Sequence, residues 1–454
     1  MLDGLLKNLS SGNFIGAMIK LSSLLRNQTV QLRTFNRSAR LFLLSVIMDG
    51  IVLSAWQLFF NFYILERGFE RDFLGMVNAM PAVAALVLGI PMGLLSDKIG
   101  RKRAMVLGVA VFILAMALEV TVDSPTLILI AAFIAGGGQM LYFLSQAPFM
   151  MKVSDEHNRT LLFSLSFGLV TLSGAVGSVF AGQLPAVFGS LLDVPARSAA
   201  AYQAVLLCSV GLGLFTMVPL LLIKEPRARP EAPSPARPGS SLWKILKKPL
   251  TLKLSLPNLL IGFGAAILIP YMNVFFVERH AVSDQNLGVL FSLSSLMVGI
   301  GSMVGPRMAG ALGSKIRAVV LTQALSLLFL LVMGFSPFFW MVAIGFLMRG
   351  TLMNMAVPLY SAFSMELIPE REQGTVNSVK ELAWQVGWAV GPYISGLVQL
   401  SFGFTPLFVT TAVLYASAIL VTWIFFGQKE PSRDLPDDIG KENLTPGLVD
   451  PMGD

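Results

Sequence analysis

Two residues of opposite charge interrupt long apolar stretches of this 454-residue sequence. Asp49 stands in the run VIMDGIVLS, and Arg349 stands in the run FLMRGTLMN. An ionised carboxylate inside a bilayer costs several kcal/mol unless it is paired or hydrated, so such a residue normally faces a cavity and marks a functional site. Because burial favours the uncharged acid, Asp49 has the chemistry of a proton-binding group.

The role of the arginine is open at the level of sequence. Arg349 binds an anionic group of a solute, or it pairs with Asp49 and releases it when a solute arrives, or the two charges form a static structural pair. Counted from opposite ends of their apolar runs, the two residues reach a similar depth.

The composition excludes several classes of protein. Hydrophobic residues make up 55% of the chain and charged residues only 13%, whereas a soluble domain carries about a quarter charged residues. A water-soluble enzyme is therefore excluded. One cysteine and two separated histidines provide neither a disulfide framework nor a metal site. The chain has no Ser, His and Asp catalytic set and no nucleotide-binding loop, so we expect no enzyme activity, no cofactor and no direct use of ATP.

Twelve apolar stretches predict an all-α membrane protein with twelve transmembrane helices in two bundles of six. The first six spans lie near 41–65, 73–95, 104–122, 126–149, 161–184 and 201–223. The second six lie near 254–276, 287–312, 318–335, 338–363, 375–398 and 404–426. Glu119 and Asp123, at the end of the third span, are expected to be solvated.

The segments outside the two bundles, 41–223 and 251–426, are polar. Residues 224–250 are rich in proline and basic residues and predict a cytoplasmic linker. The N-terminal segment, 1–40, contains helical apolar spacing over 14–25, for which a surface helix and a flexible tail are both open. The C-terminal segment, 427–454, is predicted to be disordered.

The distribution of basic residues predicts the orientation. Of the 33 Lys and Arg residues, 28 fall on the side of the two termini, four fall in the opposite loops, and Arg349 falls inside a span. Cytoplasmic loops carry such an excess, so both termini are predicted to be cytoplasmic in a plasma or inner membrane. Because the basic residues are spread among these loops, their excess does not indicate nucleic-acid binding.

The two halves of the chain repeat each other. NFYILER at 61–67 recurs as NVFFVER at 273–279, and MKVSDEHNRTLLFS at 151–164 aligns with MELIPEREQGTVNS at 365–378. Parallel repeats of six spans are one of the known transporter plans. Ile261 stands where the repeat would place Asp49, which indicates a specific role for the acid.

The loop between spans two and three, GLLSDKIGRKR, has a distinctive pattern. Gly93 is expected to permit close helix packing, Gly100 to permit a bend, and Asp97 to accept hydrogen bonds near a helix N-terminus. Three basic residues follow, which are Arg101, Lys102 and Arg103. The pattern resembles the G-x-x-x-D-x-x-G-R-K/R-K/R loop of the major facilitator superfamily, and the span number and half-repeat extend this resemblance over about 40–426.

The resemblance implies alternating access, in which two six-helix bundles rock about a central site. Asp97 and Arg101 would then help to close the cytoplasmic side, with Asp155, Glu156 or Glu370 as acidic partners. Spans one, four, seven and ten would line the cavity. Their polar and aromatic candidates are Trp56, Gln57, Asn61, Gln139, Tyr142, Tyr271, Asn273 and Asn354. Asn61 and Asn273 are equivalent in the repeat and are expected to serve symmetric structure, while gating and surface snorkelling are both open for Lys380 and Glu381.

These features together predict a secondary active transporter of a small organic solute, coupled to protons through Asp49 and acting as a monomer in the bilayer. A uniporter, or a symporter with another coupling ion, has the same fold and is the alternative. A non-transporting sensor is more remote, because it would need a soluble signalling domain longer than the segments outside the spans. The solute and the direction of transport are open.

Overall fold

The computed structural model describes residues 35–155, 158–224 and 248–427, without the side chains of Thr160, Glu370 and Arg371. The expected surface helix over 14–25, the central linker, the C-terminal tail and Glu156 lie outside the described residues. Every regular element within the described ranges is a helix.

The described residues of the first half form seven helices, of which the short α6 follows the fifth span. They are α1 (Arg37–Glu66), α2 (Arg71–Ile99), α3 (Arg101–Thr121), α4 (Pro125–Val153), α5 (Arg159–Ala181), α6 (Leu184–Leu191) and α7 (Ala199–Leu222). Side-chain caps define some of these starts. Asn36 accepts a hydrogen bond from the amide of Ala39 at α1, and Ser198 caps α7 in the same way through Ala201.

The second half repeats this order, with its first span interrupted near the middle. Its helices are α8 (Pro249–Leu268), α9 (Met272–His280), α10 (Asp284–Ala311), α11 (Lys315–Phe335), α12 (Phe339–Glu366), α13 (Glu370–Phe402) and α14 (Thr405–Phe426). A 3-10 turn, Ile269–Tyr271, joins α8 to α9. Pro270 lies in this turn and cannot donate to an α-helical ladder, which accounts for the interruption.

Among the described helices, eleven are long and apolar enough to cross a membrane when α8 and α9 count as one. The twelfth predicted span is α13, which has 33 residues but carries polar side chains along part of its length. The twelve predicted spans are therefore all present as helices. We call the side on which α1 begins and α14 ends the terminal face, and the opposite side the distal face.

Among the described helices, two equivalent pairs make the most extensive contacts between the halves. In one pair α2 packs against α13, and in the other α5 packs against α10. Spans two and eight are equivalent in the repeat, as are spans five and eleven, so the two contacts are related by the predicted half-repeat. The internal repeat read from sequence is thus expressed as pseudo-symmetry of the fold.

Glycines bring these helices into close contact near the distal face. A Cβ atom on Gly182 would lie 2.9 Å from the backbone oxygen of Asp284 and 3.2 Å from the Cα of Gly288. At the equivalent crossing, a Cβ on Gly396 would lie 2.9 Å from the Cα of Asp72. Small residues allow helix backbones to approach this closely. The halves are therefore tightly joined on the distal side.

One prediction about the third span is wrong. Glu119 was expected in water, but it lies in the last turn of α3, which ends at Thr121, and is only 4% exposed. Because α3 packs against α4 and α7, a buried residue of this helix lies against protein rather than water. Asp123 lies beyond the helix end, is fully exposed as expected, and forms an ion pair with Arg67 at 2.7 Å.

Candidate functional site

A cavity of about 490 Å³ lies within the second half of the chain. Its walls come from α8, α11, α12, α13 and α14. Of the residues that the sequence singled out for a binding cavity, Arg349 and Asn354 line it. Asn354, Asn377 and Glu381 are exposed in its wall, and the latter two lie in the half of α13 nearer the terminal face, so the cavity opens toward that face.

One face of α13 supplies much of the cavity wall. Asn377, Glu381, Trp384 and Trp388 recur at intervals of three and four residues, which places them on the same side of a helix. Sequence reasoning missed the two tryptophans, and it placed Lys380 and Glu381 near the membrane surface. The helical spacing of these polar and aromatic residues was the signal that could have found this wall.

Arg349 lies at the deep end of the cavity and is only 5% exposed. One terminal nitrogen donates a hydrogen bond to the Tyr415 hydroxyl at 2.5 Å, and the guanidinium lies 5.6 Å from the centre of the same ring. Its Nε atom is buried without a hydrogen-bond partner. The guanidinium is bound to Tyr415 and forms no ion pair with Asp49, both residues being described.

Lys380 is a second buried cation of the cavity wall. Its side chain is 3% exposed, and its Nζ lies 5.1 Å from the centre of the Tyr360 ring. A cation over an aromatic face gains electrostatic stabilisation that increases when water is excluded. Lys380 is therefore part of the cavity rather than a residue that reaches the membrane surface.

Asp49 lies in the first half, near the middle of α1, and does not line this cavity. Its side chain is half-buried and makes no hydrogen bond or ion pair with any described residue. Its charge acts on Tyr142 of α4, whose hydroxyl is buried without a hydrogen-bond partner. The acid is thus held in the protein interior with no cation beside it.

The residue after Asp49 fixes the packing of this part of α1. A Cβ atom on Gly50 would lie 2.6 Å from the backbone oxygen of Val170, so α1 and α5 touch through their backbones here. Since α5 also packs against α10 of the other half, the contact at Gly50 connects the part of α1 that carries Asp49 to a helix pair that joins the halves.

Asn61 and Asn273 form a polar contact between the halves. Asn61 donates hydrogen bonds to the side chain of Asn273 at 2.9 Å and to the backbone oxygen of Pro270 at 2.5 Å. Asn273 donates in return to the backbone oxygen of Leu58 at 2.9 Å. This repeated pair therefore lies at the interface of the halves, where each asparagine donates hydrogen bonds to the other half. Asn61 also provides a donor for the backbone oxygen of Pro270, which lies in the turn between α8 and α9.

The other predicted cavity residues are dispersed. Trp56 stacks on Phe60 with ring centres 4.6 Å apart, and the Tyr271 hydroxyl donates to the backbone of Pro392 at 2.6 Å. Gln57 is exposed on α1 and Gln139 is half-buried on α4. None of these four lines the cavity of the second half.

Two ion pairs join the halves at the distal face. Arg71 binds Glu278 at 2.6 Å, and Arg197 lies 3.3 Å from Asp284. The Tyr202 hydroxyl also hydrogen-bonds Asp284, at 3.4 Å. Together with the glycine contacts, these pairs close the distal side, while the cavity extends toward the terminal face.

The loop motif of the first half forms a tight turn at the terminal face. Asp97 pairs with Arg101 within the loop, and Arg101 also donates to Ser96, which is hydrogen-bonded to Ser145 of α4. Among the described residues, the partner of Arg101 is therefore Asp97, and Asp155 instead accepts hydrogen bonds from Asn158. The side chains of Glu156 and Glu370 lie outside the description.

The two glycines of this loop differ in outcome: the expectation for Gly93 is wrong, and the expectation for Gly100 is confirmed. Gly93 was expected to permit close packing, but a Cβ atom there would meet nothing within 4 Å, because no helix approaches it in this arrangement. Lys102 donates to the last turn of α7 at Leu221, 2.8 Å away, whereas Arg103 is exposed. The bend expected at Gly100 is confirmed, with φ of 91° and ψ of 149°.

Gly100→Ala is expected to destabilise the protein by about 1–3 kcal/mol, because the backbone angles of Gly100 lie near a region that is essentially open to glycine alone. Thermal unfolding of the purified protein in detergent measures the effect. Gly93→Ala is the matched control, since its helical site has room for a methyl group. Equal stability of the two variants would contradict this account of the turn.

The fold and the cavity define a polytopic membrane transporter, and comparison with known proteins identifies its family. The family model described as Major Facilitator Superfamily matches residues 41–280 and 254–449. The chain belongs to the major facilitator superfamily, so the family and fold inferred from the loop motif are confirmed.

Relatives with known names share this family at low identity. The multidrug resistance protein MdtG of Dickeya zeae is 24% identical over 405 residues, which cover 86% of this chain and 95% of that protein. The human chromaffin granule amine transporter is 23% identical over 77% of this chain and 64% of its own length. The multi-drug resistance efflux pump PmrA of Streptococcus pneumoniae is 24% identical over 78% of this chain and 86% of its own.

Solved structures show the same fold. A bacterial homolog of the human lysosomal transporter Spinster, in an inward-facing and occupied conformation, superposes with a TM-score of 0.69 at 14% identity, covering 85% of this chain and 95% of that chain. The nucleoside transporter NupG superposes with a TM-score of 0.66 at 13% identity, covering 86% of this chain and 98% of that chain.

Proposed function

We propose that this protein is a secondary active transporter that moves a small organic solute by alternating access, driven by protons that bind Asp49. The observation that carries the proposal is the isolation of that carboxyl group. Asp49 lies half-buried near the middle of α1 and has no ion-pair or hydrogen-bond partner among the described residues. A carboxylate in such a place is stable when it is either hydrated or protonated.

This requirement links proton binding to conformation. An ionised Asp49 favours a state in which water reaches it, whereas a protonated Asp49 tolerates a state in which the helices exclude water. The backbone contact between Gly50 and α5 gives this preference a path to the interface of the halves. Arg349 hydrogen-bonds Tyr415 and forms no ion pair with Asp49, so the acid has no counter-charge from this arginine in this conformation.

The closed distal side and the open terminal side support one of the two states that alternating access requires. The distal side is closed by two ion pairs and by the glycine contacts, and the cavity opens to the terminal face. The excess of basic residues on the terminal side supports assigning that side to the cytoplasm. The state is then inward-facing, and the opposite state must separate α5 from α10 and α2 from α13.

The relatives support an organic solute. Two of them are named for multidrug resistance or efflux and one for amine transport. The cavity of about 490 Å³ is large enough for solutes of drug size, which bind in pockets of about 300–1,000 Å³. Its wall combines aromatic rings with a few polar groups, as such sites require.

Solute-driven proton movement tests the proposal. The purified protein is reconstituted in liposomes that contain a pH-sensitive dye, and a panel of organic anions, cations and neutral solutes is added without an imposed pH gradient. We expect at least one solute to change the internal pH while protein-free liposomes show no change. Solute uptake with no proton movement would instead indicate a uniporter or another coupling ion.

A further inference from the structure

We propose that the cavity of the second half selects organic anions, with Arg349 and Trp388 holding the anionic group. This inference rests on the proposed transport function and specifies its solute class. It comes from the hydrogen-bonding state, the charge and the shape of the cavity wall.

Two buried donors in the cavity wall have no acceptor. The Nε atom of Arg349 and the Nε1 atom of Trp388 are both buried and unpartnered, and both side chains line the same cavity. Buried donors are nearly always hydrogen-bonded in folded proteins, so an unpaired set beside a cavity indicates a missing acceptor. A carboxylate offers two acceptor oxygens and forms strong bonds with a guanidinium.

The guanidinium is already oriented for this purpose. Tyr415 holds one terminal nitrogen of Arg349 at 2.5 Å. An arginine whose orientation is fixed loses little freedom when it binds a planar anion. Because Arg349 is 5% exposed, water competes weakly for its remaining donors.

The charge of the wall also favours an anion. The charged residues that line the cavity are Arg349, Lys380 and Glu381, which leaves one positive charge in excess. Both cations are at least nine-tenths buried, whereas Glu381 is exposed and accepts a hydrogen bond from Gln385 at 3.1 Å. An amine placed at the deep end would meet an uncompensated guanidinium, so cations are disfavoured there.

The rest of the wall fits a flat apolar body. The rings of Trp384 and Trp388 lie 6.2 Å apart with an interplanar angle of 33°, and Ile261 and Met353 add apolar surface. The unpartnered Oε1 atom of Gln323 offers an acceptor for a donor elsewhere on the solute. The expected solute is thus an aromatic or amphipathic molecule with one acidic group, in contrast to the amines named for one relative.

Three probes with the same ring and different charges test the solute class. 2-Naphthoate, 2-naphthamide and 2-naphthylmethylamine are titrated by calorimetry into the full-length protein in lipid nanodiscs. We expect the carboxylate to bind at least about tenfold more tightly than the amide, the size expected for hydrogen bonds to a charged group. Tighter binding of the amide or of the amine, or no binding by any probe, would overturn the proposal.

Three variants locate the anion site. Arg349→Lys and Trp388→Phe are each expected to weaken naphthoate binding by about threefold to a hundredfold and to leave the much weaker amide binding nearly unchanged. Trp423→Phe is the matched control, because Trp423 lies on the exposed side of α14 and does not line the cavity. If Arg349→Lys does not fold, the Trp388→Phe variant is sufficient for the test. An unchanged naphthoate affinity in Trp388→Phe would overturn the assignment of the anion site.

The two experiments distinguish a failure of the proposed anion site from a failure of the proposed proton coupling. Calorimetry requires no gradient, so loss of the anion preference with intact solute-driven proton movement would refute the solute class and retain the transport mechanism. Anion binding at Arg349 without proton movement would retain the site and refute proton coupling.

Discussion

Asp49→Asn is expected to abolish uphill accumulation of the solute while preserving solute exchange. Asparagine has nearly the shape of a protonated aspartate but cannot release a proton, so the variant retains the neutral packing of α1 and loses the coupling. In liposomes with an imposed pH gradient, the wild-type protein is expected to concentrate solute about tenfold per pH unit for one coupled proton, and the variant to reach equal concentrations on both sides. Counterflow of labelled solute measures the exchange that remains.

A second buried carboxyl group provides the control for this variant. Glu119 is 4% exposed in α3, lies in the same half as Asp49, and has no assigned part in coupling. Glu119→Gln is expected to retain accumulation. Loss of both accumulation and exchange in a folded Asp49→Asn protein would contradict the coupling role and assign Asp49 to solute binding or to structure.

Gly182→Leu is expected to disfavour closure of the distal face and to lower transport about fivefold to a hundredfold, because overpacking a tight contact costs about 1–3 kcal/mol. A Cβ atom there already falls 2.9 Å from the backbone of Asp284 on α10, so a larger side chain forces α5 and α10 apart. Spin labels on Ser190→Cys and Thr405→Cys, one on each half at the distal face, report the separation. The native Cys208 is replaced by serine in this background.

The control for this prediction lies in α5, the helix that ends one residue before Gly182. A Cβ atom on Gly168 would meet nothing within 4 Å. Gly168→Leu should therefore leave the label distance and the transport rate unchanged. An unaltered distance in Gly182→Leu would contradict the role of this crossing in distal closure.

The fold was accessible from sequence because the membrane limits the choice of structure. Apolar length predicts spans, and the recurrence of NFYILER as NVFFVER predicts that they form two equivalent bundles. The equivalence extends to particular contacts, since Asn61 and Asn273 hydrogen-bond each other across the interface. The end of the third span was predicted to within one residue, at 122 against Thr121, but Glu119 was misplaced because its position near that end does not reveal that its side of the helix faces protein.

The site was accessible only in part. Arg349 was identifiable, because a charge within an apolar run has few explanations. The partnership of Arg349 with Tyr415 was not, since the two residues are 66 positions apart and meet only through packing of α12 against its neighbours. Trp384 and Trp388 were missed because spans one, four, seven and ten were expected to line the cavity, and α13 is the eleventh span. The spacing of the two tryptophans with Glu381 nevertheless places all three on one helix face.

The most direct test of proton-coupled transport is the solute gradient at which net flux vanishes. Solute gradients of different size are opposed to a series of fixed pH gradients in liposomes whose membrane potential is held at zero, and the solute ratio of zero net flux is recorded. For one coupled proton, this ratio is expected to change about tenfold per pH unit, because a pH unit is worth about 1.4 kcal/mol. A ratio that stays at one at every pH gradient would contradict proton coupling.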